Sequence, residues 1–331
     1  MLETLLAEGR PLLADGAMGT NLFEAGLTSG DNPELWNATR PEAIRALHQS
    51  FVEAGADIVL TNSFGGNRRR LALHGLEGRT RELNRLAAEN ARAVVKSAGR
   101  PVVVAGSVGP TGDLLAPLGP LTEDEAVEIF VEQIEGLREG GADVVWIETM
   151  SSPEEIRAAA RAAGRLGTPY TATASFDTAG KTMMGLPPAA FAVLVDDFLP
   201  RPLAFGANCG VGAADLLVSI LAMSEARPER NLIAKANAGV PQWHGAHIHY
   251  SGSPELMGVY AGLAVDAGAR IVGGCCGTKP AHVAAMRRAL DSHRPGPRPS
   301  LEAIEAALGP LVAPAAAEPA ARARRRGRGL T

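Results

Sequence analysis

Eight short apolar runs recur along the chain, and a stretch with helical periodicity follows each of them. Several runs consist of unbroken Val, Ile, Leu and Ala, which is the pattern of parallel strands covered on both faces. The predicted strands are Leu12–Ala17, Asp57–Phe64, Pro101–Val108, Asp143–Thr149, Tyr170–Phe176, Leu203–Cys209, Asn231–Asn237 and Arg270–Cys275. Eight alternations of strand and helix predict an α/β protein with a single (β/α)8 TIM barrel over residues 1–295.

Amphipathic stretches between the apolar runs support this topology. They include Pro41–Ala54, Arg79–Ala98, Thr122–Glu139 and Pro153–Leu166. In Ala54-Gly55-Ala56-Asp57 a glycine ends the preceding helix and the chain turns directly into a strand. A doubly wound open sheet is the alternative, but such sheets more often have about five or six strands. No Gly-x-Gly-x-x-Gly follows the first strand, so a dinucleotide site is not predicted.

The composition is that of a globular protein, with 331 residues, 46% of them hydrophobic, and a net charge of −4. No apolar run reaches about 18 residues, so we expect no membrane span and no membrane partner. The first residues lack a basic region followed by an apolar one, so no secretory signal is predicted. Three cysteines, two of them adjacent, do not form an ordinary disulfide framework, and a cytoplasmic location is favoured.

Residues 296–331 are predicted to be a C-terminal extension that is mostly disordered. Residues 310–331 contain one acid, Glu318, and five arginines, so this part carries +4 and the remainder of the chain −8. Ala, Pro and Gly dominate it, and such a composition buries little apolar surface. A solvated extension is a simpler interpretation of the arginines than contact with acidic surfaces, and no nucleic-acid partner is expected.

The three cysteines are the first candidates for chemistry. Cys209 ends the sixth predicted strand, and Cys275 and Cys276 follow two glycines at the end of the eighth. Because the carboxyl ends of barrel strands share one rim, and one strand separates these two, the thiols are expected to converge. Three thiolates bind zinc and leave its fourth position open, as in a catalytic site. Burial of cysteine as a small apolar residue is the alternative, and a redox pair is disfavoured because no Cys-x-x-Cys is present.

Polar residues stand at the ends of other predicted strands. Asp15 and Glu148 are predicted either to bind the ammonium group of an amino-acid substrate or to cap a loop. Asn62, Ser63 and Asn208 are further candidates for substrate binding. All five lie on the rim where the chemistry of such barrels is found.

Aromatic residues mark two loops on the same predicted rim. Trp36 follows the first strand, and Trp243 and Tyr250 follow the seventh. Aromatic faces attract a quaternary ammonium group, so these residues are predicted to bind a cationic ligand, with lid packing as the alternative. Three histidines lie between Trp243 and Tyr250. Thiolates are the better zinc ligands, so exposed or hydrogen-bonding histidines are favoured over a second metal site.

Four motifs resemble the zinc-dependent homocysteine S-methyltransferases, and they are Asp15–Thr20, Glu53–Gly65, Asn208–Gly210 and Gly273–Thr278. The resemblance covers residues 8–292. It is specific because several separate motifs fall in the family's order. Within the family, Trp36 and residues 206–212 make the chain most similar to the bacterial betaine–homocysteine methyltransferases.

The resemblance implies a barrel in which Cys209, Cys275 and Cys276 bind Zn²⁺. It also implies that the carboxylates of Asp15 and Glu148 face the amino group of the substrate. The implied reaction transfers a methyl group from a cationic donor, with glycine betaine favoured, to the zinc-bound thiolate of L-homocysteine. Methionine and dimethylglycine are the products.

Two positions depart from the vertebrate betaine enzymes, which have tyrosines where this chain has Gly65 and Thr149. The donor pocket is therefore expected to use other residues. S-methylmethionine or a methylcorrinoid protein is the alternative donor, although the chain has no Asp-x-His-x-x-Gly corrinoid signature. A zinc-binding barrel without catalytic activity is the alternative of another class. The implied partners are small molecules, and the oligomeric state, including a homo-oligomer, stays open.

Overall fold

The structure, a computed structural model, describes residues 1–239, 241–244 and 247–312, and the side chains of residues 241–244 and 247–249 lie outside that description. Its strands are β1 (Leu12–Leu13), β2 (Ile58–Leu60), β3 (Val103–Val108), β4 (Val144–Met150), β5 (Tyr170–Ala174), β6 (Phe205–Cys209), β7 (Leu232–Ala236), β8 (Pro241–His244), β9 (His247–Tyr250) and β10 (Ala269–Gly274). Eight of them form one parallel sheet in the order β1-β10-β7-β6-β5-β4-β3-β2. A parallel bridge between Ala14 and Ile58 joins the two ends of the sheet, which therefore closes into a barrel.

Helices surround this barrel. Their bounds are α1 (Leu2–Ala7), α2 (Gly19–Glu24), α3 (Trp36–Thr39), α4 (Pro41–Glu53), α5 (Arg68–Ala72), α6 (Thr80–Val95), α7 (Glu123–Glu139), α8 (Pro153–Arg165), α9 (Pro188–Leu194), α10 (Ala213–Ala226), α11 (Pro254–Asp266), α12 (Pro280–Ser292) and α13 (Leu301–Leu308). The side chains of Thr122, Ser152 and Ser253 accept hydrogen bonds from backbone N–H groups in the first turns of α7, α8 and α11. These caps satisfy amide groups that a helix start leaves unpaired. Among the described helices, none has the length and apolarity needed to cross a membrane.

The predicted alternation of strands and helices is confirmed. Each of the eight predicted strands overlaps one strand of the barrel. The register is parallel throughout, with Leu12 opposite Ile271 and Cys209 opposite Ala236. It brings the carboxyl ends of all eight strands to one rim. A closed sheet of eight strands excludes the doubly wound alternative.

Two apolar layers hold the barrel together. The inner layer includes Trp146, Ile233 and Ile271, and Leu2 and Leu5 of α1 join the same cluster. The outer layer packs the strands against the helices and contains most of the remaining buried apolar residues. Burying one large apolar side chain contributes about 1.5–3 kcal/mol, so both layers stabilise the fold strongly. Because side chains fill the barrel interior, ligand chemistry is confined to its rim.

The described part of the C-terminal extension differs from the expected disorder. Residues 301–308 form α13, whose first turn is capped by the Ser300 side chain. Ile304 is completely buried, and the helix contacts α10 and α11. The apolar residues Leu301, Ile304 and Leu308 recur at helical spacing, a short pattern that accounts for this helix. Residues 313–331, which include the arginines, lie outside the described residues.

A hairpin of β8 and β9 lies in the connection after β7, where the sequence predicted a loop. The two strands are antiparallel, with Pro241 opposite Tyr250 and Trp243 opposite Ile248. The hairpin therefore places Tyr250 opposite Pro241, at its open end. The side chains of Trp243 and of the three histidines lie outside the described part, so their predicted roles stay predictions.

Acid should destabilise this fold through His48, which lies on the buried face of α4. Neither ring nitrogen has a hydrogen-bond partner among the described residues, and burial lowers the pKa of the imidazole from 6.5 to about 4. The unfolded chain binds this proton more readily than the folded chain between pH 6.5 and 4. Stability from this group is therefore complete above pH 6.5 and is lost at about 1.4 kcal/mol per pH unit, about 3 kcal/mol in all, as the pH falls.

Replacing His48 by Leu should flatten this dependence. Urea unfolding at pH 5, 6 and 7 measures the free energy of unfolding for the wild type, for His48→Leu and for a control, His74→Gln, at an exposed histidine. We expect the control to follow the wild type. Equal pH slopes for the wild type and His48→Leu would contradict the prediction.

Candidate metal and substrate site

The three cysteine thiols meet at the carboxyl rim of the barrel. Cys209 ends β6, Cys275 and Cys276 follow β10, and β7 lies between these two strands. The three sulfur atoms lie within 4.8 Å of one another, and the Sγ atoms of Cys209 and Cys276 are 3.9 Å apart. The predicted convergence of the thiols is therefore present in the fold.

Asn208 holds the ends of β4 and β6 together. Its Oδ1 accepts hydrogen bonds from Thr149 N–H (2.8 Å) and Thr173 Oγ1 (2.7 Å). Its Nδ2 donates to Thr149 Oγ1 (2.7 Å) and lies 3.8 Å from the Cys275 sulfur. Thr149 and Cys209 both adopt left-handed backbone, with φ of 61° and 63°. Residues other than glycine seldom do so, and such strain persists where surrounding contacts enforce it, often at functional sites.

Asn237 provides a second connection across the rim. Its Oδ1 accepts a hydrogen bond from Cys276 N–H (3.0 Å), and its Nδ2 donates to the Gly210 carbonyl (2.7 Å). Gly277 has a φ of 77°, and a Cβ at this position would lie 2.3 Å from the Tyr250 ring. Only glycine fits there, because any side chain would meet both the ring and the unfavourable backbone conformation.

The geometry of the thiols fits a zinc ion. Sulfur ligands at about 2.3 Å in a tetrahedral arrangement lie about 3.8 Å from one another. The separation of 3.9 Å between the sulfur atoms of Cys209 and Cys276 is close to this value. Three cysteine ligands leave the fourth tetrahedral position open for a substrate sulfur.

The thiols also need a cation in order to ionise together. The hydrogen bond with Cys275 lowers the pKa of Cys209, but hydrogen bonding to Cys276 and burial outweigh it and raise the pKa to about 12. For Cys276 the hydrogen bond with Cys209 lowers the pKa, and Cys275 then raises it to about 12. Three crowded, partly buried thiols therefore hold their protons at neutral pH, and metal binding would displace them.

Asp15 and Glu148 are both buried inside the rim, with exposures of 1% and 8%. Asp15 Oδ2 accepts a hydrogen bond from Leu60 N–H (2.7 Å), and Asp15 Oδ1 accepts one from Lys235 Nζ (3.0 Å). Glu148 Oε1 accepts a hydrogen bond from the Ser107 hydroxyl. Asp15 therefore holds the end of β2, and it also takes part in a buried ion pair.

Burial controls the electrostatics of these acids. It raises the pKa of Glu148, and the neighbouring Asp15 carboxylate adds to that increase. Burial alone would lower the pKa of Lys235, but the carboxylates of Asp15 and Glu148 outweigh it and raise that pKa. The Lys235 ammonium therefore stays charged. It is the cation that opposes the buried acids.

Asn62 and Ser63 connect neighbouring loops at the end of β2. Asn62 Nδ2 donates to the Pro33 carbonyl (2.8 Å), and Ser63 Oγ donates to the Ser107 carbonyl (2.8 Å). Their exposures are 3% and 1%. Both side chains hold the rim in shape, and their predicted contact with substrate stays a prediction.

Trp36 packs in a small apolar cluster outside the barrel mouth. Its neighbours in that cluster are Leu22, Leu27 and Ile44, and the indole is 7% exposed. The Arg40 guanidinium lies over its ring, 4.1 Å from the centroid. One face of this indole is therefore already occupied by a cation of the protein itself.

Tyr250 is the predicted aromatic residue that the structure places beside the thiols. Its ring lies against Gly277, and its hydroxyl interacts electrostatically with Cys276, Cys209 and Cys275. Burial raises the pKa of this phenol, and the cysteines add to the increase. Tyr250 is therefore neutral and presents a ring and a hydroxyl at the metal site.

Lys235 and Ser107 were not predicted as site residues. Lys235 left a signal in the sequence, because it interrupts the apolar run Leu232–Ala236 just before the strand ends. A charged residue inside a buried strand requires a partner of opposite charge. Ser107 left no comparable signal, since small polar residues are common at strand ends.

Comparison with known proteins identifies the family. The family model for homocysteine S-methyltransferase matches residues 12–290. The methionine synthase of Mycobacterium tuberculosis (strain ATCC 25618 / H37Rv) is 33% identical over 300 residues, which are 85% of this chain. The methionine synthase of Mycobacterium leprae (strain TN) is 32% identical over 309 residues, 88% of this chain. The chain spans about a quarter of the length of these two relatives, 25% in each case.

A solved structure agrees with this family assignment. The metallated form of the homocysteine methyltransferase MmuM from Escherichia coli is 28% identical to this chain, with a TM-score of 0.69. The match covers 87% of this chain and 99% of that one. The shared barrel, the matched family model and the converging cysteines agree. The chain belongs to the homocysteine S-methyltransferase family.

Proposed function

We propose that this protein transfers a methyl group from a cationic donor, with glycine betaine favoured, to the thiol of L-homocysteine. The observation that carries the proposal is the presence, on one rim, of three converging thiols and two buried acids. The Cys275 thiol lies close enough to Glu148 and Lys235 for their charges to act on one another. In this proposal the thiols form the sulfur-binding centre and the two acids beside them bind the ammonium group, as a small amino thiol requires.

Each group in the site has a defined task in this proposal. Cys209, Cys275 and Cys276 would hold a zinc ion, which lowers the pKa of a bound thiol and so supplies a thiolate nucleophile at neutral pH. Asp15 and Glu148 would bind the substrate ammonium group through charge-assisted hydrogen bonds. Asn208 and Asn237 fix the positions of the cysteines, so that little reorganisation is needed when the substrate binds.

The proposed methyl transfer needs no reactant other than homocysteine and the donor, because every bond, electron pair and proton is accounted for. The homocysteine sulfur forms a bond to the methyl carbon while the carbon–nitrogen bond of the betaine breaks. The electron pair of that bond stays on nitrogen, which leaves as the neutral amine of dimethylglycine. The thiol proton passes to solvent when the sulfur binds. We propose that the Tyr250 ring offers the donor cation an aromatic face beside the thiols.

The buried indole of Trp36 is less suited to this task, because Arg40 covers one face of its ring. Trp243 stays a candidate for the donor pocket. The three cysteines are free, which favours a cytoplasmic location in this proposal. S-methylmethionine and a methylcorrinoid protein remain the alternative donors, and a zinc-binding barrel without activity is the alternative of another class.

A panel of donors tests the proposal. The zinc-loaded protein is supplied with L-homocysteine and with glycine betaine, S-methylmethionine or methylcobalamin, and methionine is measured by mass spectrometry. We expect methionine with glycine betaine, at a rate at least tenfold above that with either other donor. The Cys209→Ser variant gives the background rate. Activity with methylcobalamin alone would overturn the choice of donor, and zinc retention without transfer from any donor would support the non-catalytic alternative.

A further inference from the structure

Lys235 is a charged residue deep inside the barrel, where the fold by itself has no need of one. It lies on β7, and its side chain is 2% exposed. Its ammonium group is 3.0 Å from Asp15 Oδ1 and 5.8 Å from the centroid of the Trp146 ring. A buried ion pair is often no more stable than apolar residues of similar volume, so stability alone does not account for it.

The surroundings of Lys235 define a small charge cluster. The charged and titratable groups that act on it are Asp15 after β1, Glu148 on β4 and Cys275 after β10. The Asp15 carboxylate also acts on the charge of Glu148, whose Oε1 accepts a hydrogen bond from the neutral Ser107 hydroxyl. Two carboxylates and one ammonium have a net charge of −1, which equals the charge that one substrate ammonium group neutralises.

Without the lysine, the two acids would have to share one buried pocket. Like charges at short range in a weakly polar interior do not both ionise, and such a pair keeps a proton near neutral pH. That proton would have to leave before a substrate ammonium group could bind to both carboxylates. Burial raises the pKa of Asp15 and of Glu148, and the Lys235 ammonium opposes this increase, so a fixed internal cation favours ionisation of both acids before the substrate arrives.

We propose that Lys235 is a positioning residue that sets the charge of the amino-acid pocket to −1 and so matches it to a single ammonium group. It acts through Asp15 and Glu148, and it needs no direct contact with the reacting atoms. The inference rests on the proposed function, because it takes homocysteine as the ligand of these acids. It adds a determinant of substrate recognition that lies beneath the site.

The Lys235→Met variant tests this inference. Isothermal titration calorimetry measures the Kd of L-homocysteine for the zinc-loaded protein between pH 6.5 and 8.5, under reducing conditions. Protonation of the ligand affects the variant Kd and the wild-type Kd equally, so it cancels in the ratio of the two. We expect this ratio to rise as the pH falls, by up to about tenfold per pH unit, because the variant pocket must release a proton. A ratio that does not change with pH would overturn the proposal.

A charge-restoring pair separates charge from packing. Asp15→Asn alone brings the pocket charge to zero, and Asp15→Asn with Lys235→Met returns it to −1. If the charge of the pocket governs recognition, the double variant binds homocysteine at least threefold more tightly than Asp15→Asn alone. If Lys235 only fills space, the second substitution weakens binding further, and that result would contradict the inference.

Two controls keep the outcome interpretable. Lys235→Arg retains the charge and is expected to keep the wild-type pH dependence, while Lys96→Met changes an exposed lysine and is expected to change nothing. Circular dichroism and zinc content identify a variant that fails to fold, and the double variant, which removes both members of the Asp15–Lys235 ion pair, then provides the test. Absence of methyl transfer by the wild type would contradict the proposed function. If the wild type transfers the methyl group normally and the ratio of the Lys235→Met Kd to the wild-type Kd does not change with pH, only this inference is contradicted.

Discussion

Replacing Cys276 by Ser is expected to remove the bound zinc and the methyl-transfer activity together. Three thiolates share an apparent zinc-binding free energy of about 10–16 kcal/mol, so each carries on the order of 4 kcal/mol, roughly a thousandfold in affinity. A serine hydroxyl does not ionise at neutral pH and is a poor zinc ligand. The two remaining thiols would then hold the ion too weakly to survive dialysis.

Zinc per chain, measured by atomic absorption after dialysis, and methionine formation, measured by mass spectrometry, check this result. Lys279→Gln is the matched control, because Lys279 lies three residues further along the chain and its side chain is half exposed. We expect this control to keep about one zinc per chain and wild-type turnover. A Cys276→Ser protein with full zinc content and full activity would remove the basis of the proposed function.

Replacing Glu148 by Gln is expected to raise the KM for homocysteine on the order of a hundredfold. The amide keeps the shape of the side chain and still accepts a hydrogen bond from the Ser107 hydroxyl. It removes one negative charge, so the pocket charge rises from −1 to zero. A charge-assisted hydrogen bond to a buried group is worth about 2–3 kcal/mol, which corresponds to that change in KM.

Initial rates at saturating donor and varied homocysteine separate KM from kcat in this variant. We expect kcat to change by less than about threefold, because the sulfur centre is left intact. Glu255→Gln, at an exposed acid on α11, serves as the control for the loss of a single negative charge. An unchanged KM in Glu148→Gln would show that this acid does not bind the substrate.

Much of this fold could be predicted because its signals are local. Each strand is a short apolar run, and several helices have their own periodicity or their own cap, so neither signal depends on distant residues. The convergence of the thiols at one rim could be predicted by the same reasoning. Cys209 and Cys275 end strands six and eight, and a closed parallel barrel brings such ends to one rim.

The helix α13 and the β8–β9 hairpin were not predicted, for different reasons. The apolar pattern of α13 covers only eight residues within a segment rich in Ala and Pro. Ile304 becomes a core residue only because α10 and α11 provide the surface against which it packs. The hairpin depends on pairing between Pro241 and Tyr250, which no local run of apolar residues indicates.

The sequence by itself determined the barrel, the family and the three converging cysteines, because these depend on short patterns and on the order of motifs. The tertiary structure alone decided which polar groups pair across the barrel. Lys235 and Asp15 are 220 residues apart in the chain, yet closure of the sheet brings their charges to 3.0 Å. It likewise placed the Tyr250 ring against Gly277 and packed Trp36 into a separate apolar cluster. Contacts of this kind join residues that are far apart in the sequence, and they form because buried charges and rings need neighbours of suitable charge and shape. The spacing of residues along the chain therefore does not predict them.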